Sequence, residues 1–132
     1  MKQLYALTLT SLLLISVFSG CSSKTNTPEK EPAQTEVHKR SPEAAQLIHE
    51  GDEAYTRFDY DRAIELYSQA LTIDANDYAA LSGAGVALAM RGNATGSRED
   101  VQEGIQKIER ALTVNPDDTS SFYNLALAYK IA

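Results

Sequence analysis

Apolar residues in the middle of the chain recur with the 3.6-residue period of an α-helix in two successive segments. The two stripes consist of Leu47, Gly51 and Tyr55, and of Ala63, Ile64, Tyr67, Ala70 and Leu71. Residues 58–61, Phe-Asp-Tyr-Asp, lie between the stripes and carry the carboxylates typical of a tight turn. The pattern therefore predicts an antiparallel helix pair near residues 42–57 and 60–73.

The same spacing of residues repeats along the chain. Three pairs are 34 residues apart: Ala45 and Ala79, Leu47 and Leu81, and Gly51 and Gly85. Four later pairs are 41 apart: Ala70 and Ala111, Asp74 and Asn115, Asp77 and Asp118, and Gly85 and Ala126. One insertion of seven residues between Arg91 and Gly104 explains both intervals, and Gly92-Asn93 with Gly96 predicts a loop there. Further helices are expected near 77–91, 98–113 and 119–131.

Capping residues support these helix starts. Ser41-Pro42-Glu43 combines a side-chain oxygen, a proline at the first helical position and an acid in the first turn. Asn76-Asp77 supplies the start of the third helix. Residues 97–100, Ser-Arg-Glu-Asp, have the spacing of a capping box with Asp in place of Glu. Residues 115–118, Asn-Pro-Asp-Asp, precede the last helix.

A glycine in the middle of the first predicted helix suggests close packing of the pair. Gly costs about 1 kcal/mol relative to Ala in a helix interior, so Gly51 indicates that a close backbone approach to the helix of Ala63 repays the loss. Tyr55, Tyr60 and Tyr67 are then expected to fill the flanks of the pair.

These residues resemble the tetratricopeptide repeat (TPR), a 34-residue helix-turn-helix unit. The matching positions are Leu47 and Gly51 in the first helix and Ala63, Tyr67 and Ala70 in the second. Ala75 stands where the family usually has proline, and Tyr55 lies one place beyond the usual tyrosine. The resemblance implies an all-α, TPR-like α-solenoid of about two and a half repeats and five helices, over residues 44–77, 78–118 and 119–132.

The first 20 residues are typical of an export signal. Lys2 precedes an apolar run that is shorter than the roughly 20 residues needed to span a bilayer. The run ends Phe18-Ser19-Gly20-Cys21, which resembles the bacterial lipobox. That resemblance implies that Cys21, the single cysteine, becomes a lipidated N-terminus held on a membrane by its acyl chains. A free cysteine in an ordinary signal or an uncleaved anchor is the alternative.

Residues 21–41 are polar, with Val37 as almost the only large apolar side chain. Such a segment cannot bury enough surface to offset the entropy of ordering, so it is expected to be a disordered tether. His38-Lys39-Arg40 is interpreted as solvated linker. The folded domain is therefore predicted to span residues 42–132.

Composition and motifs argue against several kinds of chemistry. The chain has 12 basic and 18 acidic residues and no basic cluster, so nucleic acid is not an expected ligand. Gly83-Ala84-Gly85 lies within a helical pattern with no strand before it, unlike a phosphate loop. His38 and His49 lack an array of metal ligands, and the acids at positions 50, 52 and 53 are expected on a wet helix face. No enzyme activity, cofactor or metal ion is predicted.

The family resemblance implies that the first helix of each repeat lines a concave groove. The positions that transfer are Ile48, Asp52, Tyr55, Ser82, Val86, Met90, Tyr123 and Leu127. Several of these side chains are apolar, which is typical of a groove for an extended or helical peptide, although some could pack within the core instead. Family members that clamp a terminal carboxylate use Lys, Arg and Asn. Of the five matching positions here, four cannot make this clamp, because they hold Ile48, Asp52, Gly83 and Ser120; the fifth is Asn124. Binding of a chaperone tail is therefore not expected.

Three hypotheses follow. The first is a lipid-anchored, non-catalytic scaffold that holds a protein or peptide of the bacterial cell envelope, on the cell membrane or outer membrane and facing the periplasm or the exterior. The second is self-association or completion by a partner's helix, because the last helix lacks its mate and should expose an apolar face. That face comprises Leu125, Ala126, Leu127, Tyr129 and Ile131. The third is a shortened form of a longer repeat array.

Overall fold

A computed structural model describes residues 39–132, so the predictions for the signal segment, for Cys21 and for the tether up to residue 38 lie outside the described residues. The five helices are α1 (Pro42–Thr56), α2 (Tyr60–Ile73), α3 (Tyr78–Thr95), α4 (Arg98–Val114) and α5 (Thr119–Ile131). The helices α1 and α2 form one hairpin, α3 and α4 form a second, and α5 packs against both α3 and α4. Within 39–132 there is no strand. The fold is all-α and TPR-like, which confirms the predicted fold class.

A side-chain oxygen caps the start of every helix. Ser41, Asp59, Ser97 and Asp118 each accept a hydrogen bond from the backbone N–H three residues later. Asp77 accepts from both the second and the third N–H groups after it, at 3.0 and 3.1 Å. Each such cap stabilises its helix by about 1 kcal/mol. These five caps explain why the helix starts follow the sequence pattern closely.

The first hairpin is organised around the ring of Tyr67 on α2, which is 1% exposed. A Cβ added to Gly51 of α1 would lie 2.8 Å from Cε1 of this ring, and one added to Gly83 of α3 would lie 2.6 Å from it. The Tyr67 hydroxyl donates a hydrogen bond to Oδ1 of Asp52, at 2.6 Å. Gly51 therefore admits an aromatic ring rather than the opposing backbone, and Tyr67 fills the centre of three helices rather than a flank.

The second hairpin contains the close backbone approach. A Cβ at Gly85 of α3 would lie 2.6 Å from the carbonyl oxygen of Gly104 on α4 and 2.6 Å from Cγ1 of Ile108. Gly104 in turn faces the carbonyl oxygen of Gly85 and the amide nitrogen of Ala89. The two backbones touch here because neither residue has a side chain.

The predicted loop at residues 92–97 is wrong for its first four positions, because α3 continues to Thr95 and only Gly96 and Ser97 separate it from α4. The part of α1 that matches α3 begins at Ala44, and α3, which begins at Tyr78, is five residues longer than that part. The helix α4 is three residues longer than α2, and the turn between α3 and α4 is one residue shorter than the turn between α1 and α2. Gly92 is buried against α4, where a Cβ would lie 2.6 Å from the carbonyl oxygen of Ser97. Helix packing thus explains a glycine that the local pattern assigned to a loop.

Two hydrophobic clusters share the aromatic ring of Tyr55. The first joins α1, α2 and the start of α3, and the second joins α3, α4 and α5. On α5, Ala126 and Tyr129 are exposed as expected, whereas Leu125, Leu127 and Ile131 are half-buried against the second cluster. Phe122 adds a further exposed ring on the same helix. Among the helices of residues 39–132, none combines the length and the apolar character that a membrane span requires.

Candidate protein-binding groove

A cavity of about 380 Å³ lies along the first helices of the successive repeats, α1, α3 and α5. Its lining consists of Arg40, Ile48, Asp52, Tyr55, Tyr67, Tyr78, Ala79, Ser82, Gly83, Val86, Asp118, Ser120 and Asn124. We call this surface the groove. Of the second helices of the two hairpins, α2 contributes Tyr67 to the lining and α4 contributes no residue.

The floor of the groove is apolar and largely buried. Ile48 is 7% and Val86 5% exposed, so both belong to the core clusters as much as to the surface. Above them the walls are polar. Asn124 of α5 donates a side-chain hydrogen bond to Ser82 of α3 at 3.0 Å, which ties two of the lining helices together. The groove is consequently more polar than its sequence pattern indicates.

One end of the groove is formed by an ion pair between Arg40 and Asp77, the cap of α3. Nε of Arg40 donates to Oδ2 of Asp77, and Nη2 donates to Oδ1 at 2.9 Å. The guanidinium also lies over the ring of Tyr78, 5.8 Å from its centroid. The side chain of Asp77 is fully buried, whereas that of Arg40 is 28% exposed. A residue just before the first helix thus reaches across to the start of the third.

The ionisation of Asp77 depends on these contacts. Burial alone would raise the pKa of its carboxyl, but the hydrogen bonds from Arg40 and from the N–H groups of Ala80 and Ala79 outweigh it, and the pKa lies below its ordinary value. The hydrogen bond to Asp77 raises the pKa of Arg40 in return. Both groups are charged at neutral pH, and they cancel each other within the groove.

A second aspartate and tyrosine, in addition to Asp77 and Tyr78 near Arg40, face the cavity from α1. Tyr55 and Asp52 are three residues apart and lie on one helix face. Burial raises the pKa of the Tyr55 hydroxyl, and the nearby hydroxyls of Tyr60 and Tyr123 raise it further, so Tyr55 is neutral and can act as a donor. Among residues 39–132, Asp52 contacts the Tyr67 hydroxyl but no cation.

The structure brings together most of the predicted groove residues, although their role in binding stays a prediction. Those that line the groove are Ile48, Asp52, Tyr55, Ser82 and Val86. Tyr123 is 70% exposed and lies close enough to Tyr55 to affect its pKa. Met90 and Leu127 do not line the cavity. Met90 of α3 and Leu127 of α5 pack instead against the second cluster, to which α3, α4 and α5 all contribute.

The sequence pattern does not indicate the charged end of the groove. It places Arg40 in the tether, and nothing in the local sequence signals a partner 37 residues away. The pattern identifies Asp118 and Asp77 as helix caps only, whereas Asp118 lines the groove and Asp77 holds Arg40 at its end. The 41-residue interval between them is the one available signal, since it places both at the start of a lining helix. Tyr78 directly follows one of these caps.

A larger cavity of about 870 Å³ lies on another side, between the extended ends of α3 and α4 and the C-terminal half of α5. Its wall includes Val101, Ile105 and Tyr129. The Tyr129 hydroxyl donates to Glu109 of α4 at 2.7 Å, bridging the two walls. Among the described residues, no group of three His, Cys, Asp or Glu side chains could hold a metal ion in either cavity.

The chain is similar to proteins of known description. No protein-family model matches the chain. The chain is 32% identical over 127 residues to the heat-shock protein cognate (HSC) co-chaperone sgt12 of Aspergillus fumigatus, covering 87% of this chain and 35% of the fungal protein. The chain therefore spans 35% of the length of the curated relative it matches. Among solved structures, the first TPR of Spaghetti (RPAP3) bound to the HSP90 peptide SRMEEVD matches with a TM-score of 0.35 and 17% identity, covering 71% of this chain and 96% of that one.

Proposed function

We propose that the chain is a non-catalytic scaffold that holds a segment of another protein in the groove of α1, α3 and α5. The observation that supports this function is the cavity itself, which crosses three helices and combines an apolar floor with polar walls. Such a surface accepts the side chains of an extended or helical segment and bonds to its backbone. The described cavities offer no converging acid, base and nucleophile, so the proposal assigns no reaction to them.

Photo-crosslinking in cells tests this function. A photoreactive amino acid is placed at Ser120, an exposed groove residue, and in a matched variant at Gln69, an exposed residue of α2 outside the groove. We expect a crosslinked adduct from position 120 that is absent from position 69, with the attached partner peptide identified by mass spectrometry. Equal adducts at both positions, or none in the groove, would contradict the scaffold function.

The co-chaperone relative suggests a chaperone tail as the occupant, but the charges in the groove do not favour that ligand. An acidic tail needs free cations, and among the described lining residues Arg40 is the one cation. Its guanidinium is already bound to the buried Asp77. Asp52 and Asp118 would repel a tail carboxylate instead. The proposal therefore keeps the general function, binding of a protein segment, without that particular ligand.

We also propose that the scaffold is a lipoprotein of the bacterial cell envelope, anchored through Cys21. The support is the sequence alone: the apolar leader, the Phe-Ser-Gly-Cys run and the polar residues that follow. Two acyl chains suffice for stable anchoring, whereas the acidic composition would weaken binding to anionic lipid. Intact-mass analysis of the full chain expressed in bacteria tests the anchor, with Cys21→Ser as the control. The account expects a mature N-terminus at Cys21 carrying acyl chains, and an unmodified cysteine would contradict it.

The exposed face of α5 favours a second candidate function, assembly through the end of the stack. Phe122 and Tyr129 are each 54% exposed, and the larger cavity lies beside Tyr129. A second copy, or a helix from a partner, would cover this face as α4 covers α3. Sedimentation of the full chain in detergent tests the idea by comparison with a Phe122→Ser, Tyr129→Ser double variant. A dimer lost in the variant supports assembly, and a monomer at high concentration rules out self-assembly.

A further inference from the structure

The geometry points to a basic segment as the occupant of the groove: a peptide whose arginine or lysine side chain lies between Asp52 and the ring of Tyr55. This inference rests on the proposed scaffold function and names the chemistry of the partner. It comes from the balance of charge among the lining residues, from a contact already present within the groove, and from the net negative charge of the folded domain.

The carboxylates of the groove outnumber its available cations. The lining holds Asp52 and Asp118, and its one cation, Arg40, is matched by Asp77. Asp118 accepts hydrogen bonds from the backbone and the hydroxyl of Ser121 through Oδ2. Within residues 39–132 neither Asp52 nor Asp118 forms an ion pair. A cation that entered the cavity would therefore meet two negative charges that the fold leaves uncompensated.

The contact of Arg40 shows the binding mode within the same groove. Its guanidinium lies against the carboxylate of Asp77 and over the ring of Tyr78. Asp52 and Tyr55 repeat this combination of carboxylate and aromatic ring on α1, without a cation in place. A cation over an aromatic face contributes about 0.5–2 kcal/mol, depending on its desolvation. The hydrogen bond from Tyr67 fixes Asp52 in position, which lowers the entropy cost of binding.

The folded domain as a whole is acidic, and α1 is the groove helix with an excess of acid. Residues 39–132 contain nine Lys or Arg and fifteen Asp or Glu, a balance of −6. The helix α1 contains Glu43, Glu50, Asp52 and Glu53 but neither Lys nor Arg. On α3 the one cation, Arg91, is bound to Asp61 and Asp100. The helix α5 has no acid and one cation, Lys130, which lies in its last turn and does not line the groove. The net negative charge of the domain attracts a basic partner and repels an acidic one, with the strongest effect at low salt.

Fluorescence polarisation of the full chain in a non-ionic detergent tests the inference. The probes are three labelled decapeptides of alternating leucine and serine, with two central arginines, glutamates or glutamines. The arginine peptide is expected to bind about tenfold more tightly than the glutamine peptide, and the glutamate peptide more weakly than either. High salt should reduce the preference for arginine.

Two variants locate the effect. Asp52→Asn removes the charge while keeping an acceptor for the Tyr67 hydroxyl, and it is expected to weaken arginine-peptide binding about fivefold. Glu43→Gln makes the same change of charge on α1 outside the groove and should alter binding less than about twofold. Circular dichroism of each variant confirms that the helices are retained.

The outcomes separate this inference from the function on which it rests. A glutamate peptide that binds as tightly as the arginine peptide, or equal losses in the two variants, would overturn the basic occupant while leaving the scaffold intact. If the groove crosslink at position 120 is also absent, the scaffold function fails as well. If the crosslinked partner segment is acidic, the function stands and this inference is wrong.

Discussion

The two hairpins share a helix-turn-helix pattern but close in different ways. In the first, glycines of α1 and α3 make room for the ring of Tyr67, whose hydroxyl reaches Asp52 in the groove. In the second, Gly85 and Gly104 bring two backbones into contact beside the aliphatic side chain of Ile108. The same small residue therefore has two uses. The first hairpin holds a hydroxyl against a groove carboxylate, and the second brings the backbones of α3 and α4 together.

The largest expected effect comes from removing the ring that joins the first hairpin to α3. Tyr67→Ala should destabilise the fold by about 4 kcal/mol, because it leaves a cavity between three helices. Tyr67→Phe keeps the ring and should cost about 2 kcal/mol through loss of the bond to Asp52. Urea unfolding of the full chain measures both. Equal losses in the two variants would mean that the hydroxyl, not the ring, carries the stabilisation.

The backbone contact of the second hairpin should be nearly as sensitive. Gly104→Ala places a methyl group against the carbonyl oxygen of Gly85, and we expect a loss of about 3 kcal/mol. Gly96→Ala is the control, because Gly96 has open space around it and a φ of 77°, so the cost should be about 1 kcal/mol of backbone strain. Unfolding midpoints that rank these variants in the opposite order would contradict the close approach.

The ion pair at the end of the groove makes stability depend on pH. Because the pKa of Asp77 is lowered in the folded chain, its contribution is complete above the ordinary pKa of about 3.9 and is lost as pH falls through the lower folded value. Arg40→Gln should cost about 2 kcal/mol at neutral pH by leaving the buried carboxylate without its cation. It should also flatten the acid dependence below about pH 4, because the folded pKa of Asp77 then rises.

Thermal unfolding of the parent chain and of the Arg40→Gln variant, from neutral pH to below about pH 4, measures the difference in stability and in its acid dependence. An Arg40→Gln variant as stable as the parent would show that residue 40 belongs to the tether, as the sequence pattern alone suggests. The same result would mean that the Arg40–Asp77 ion pair does not form one end of the groove.

The smallest expected effect lies in the turn of the first hairpin. Phe58 has a positive φ of 62° and is 76% exposed, which is unusual for an aromatic residue. Phe58→Asn should stabilise the fold by about 0.5 kcal/mol, since asparagine tolerates this conformation and the edge contact with Tyr60 recovers only part of the strain. Destabilisation instead would assign the ring a packing role. The second hairpin has Gly96 in the equivalent conformation and should gain nothing from asparagine.

The sequence predicts helices better than it predicts the contacts between them. Helix starts depend on local capping, so Ser41, Ser97 and Asp118 mark them correctly. The end of α3 has no such local signal, because Gly92 is typical of a loop and is buried only through its contact with α4. Five of the groove residues inferred from the repeat register line the cavity, because the register places them on the first helix of a repeat, and their role in binding stays a prediction. Arg40 could not be assigned, since its role depends on a partner far away in sequence.

A crystal structure of the chain with its crosslinked partner segment tests the central claim most directly. The account predicts that the segment lies along α1, α3 and α5, with a cationic side chain between Asp52 and Tyr55 and backbone contacts near Asn124. A segment seated instead in the larger cavity between α4 and α5, with the groove empty, would contradict it.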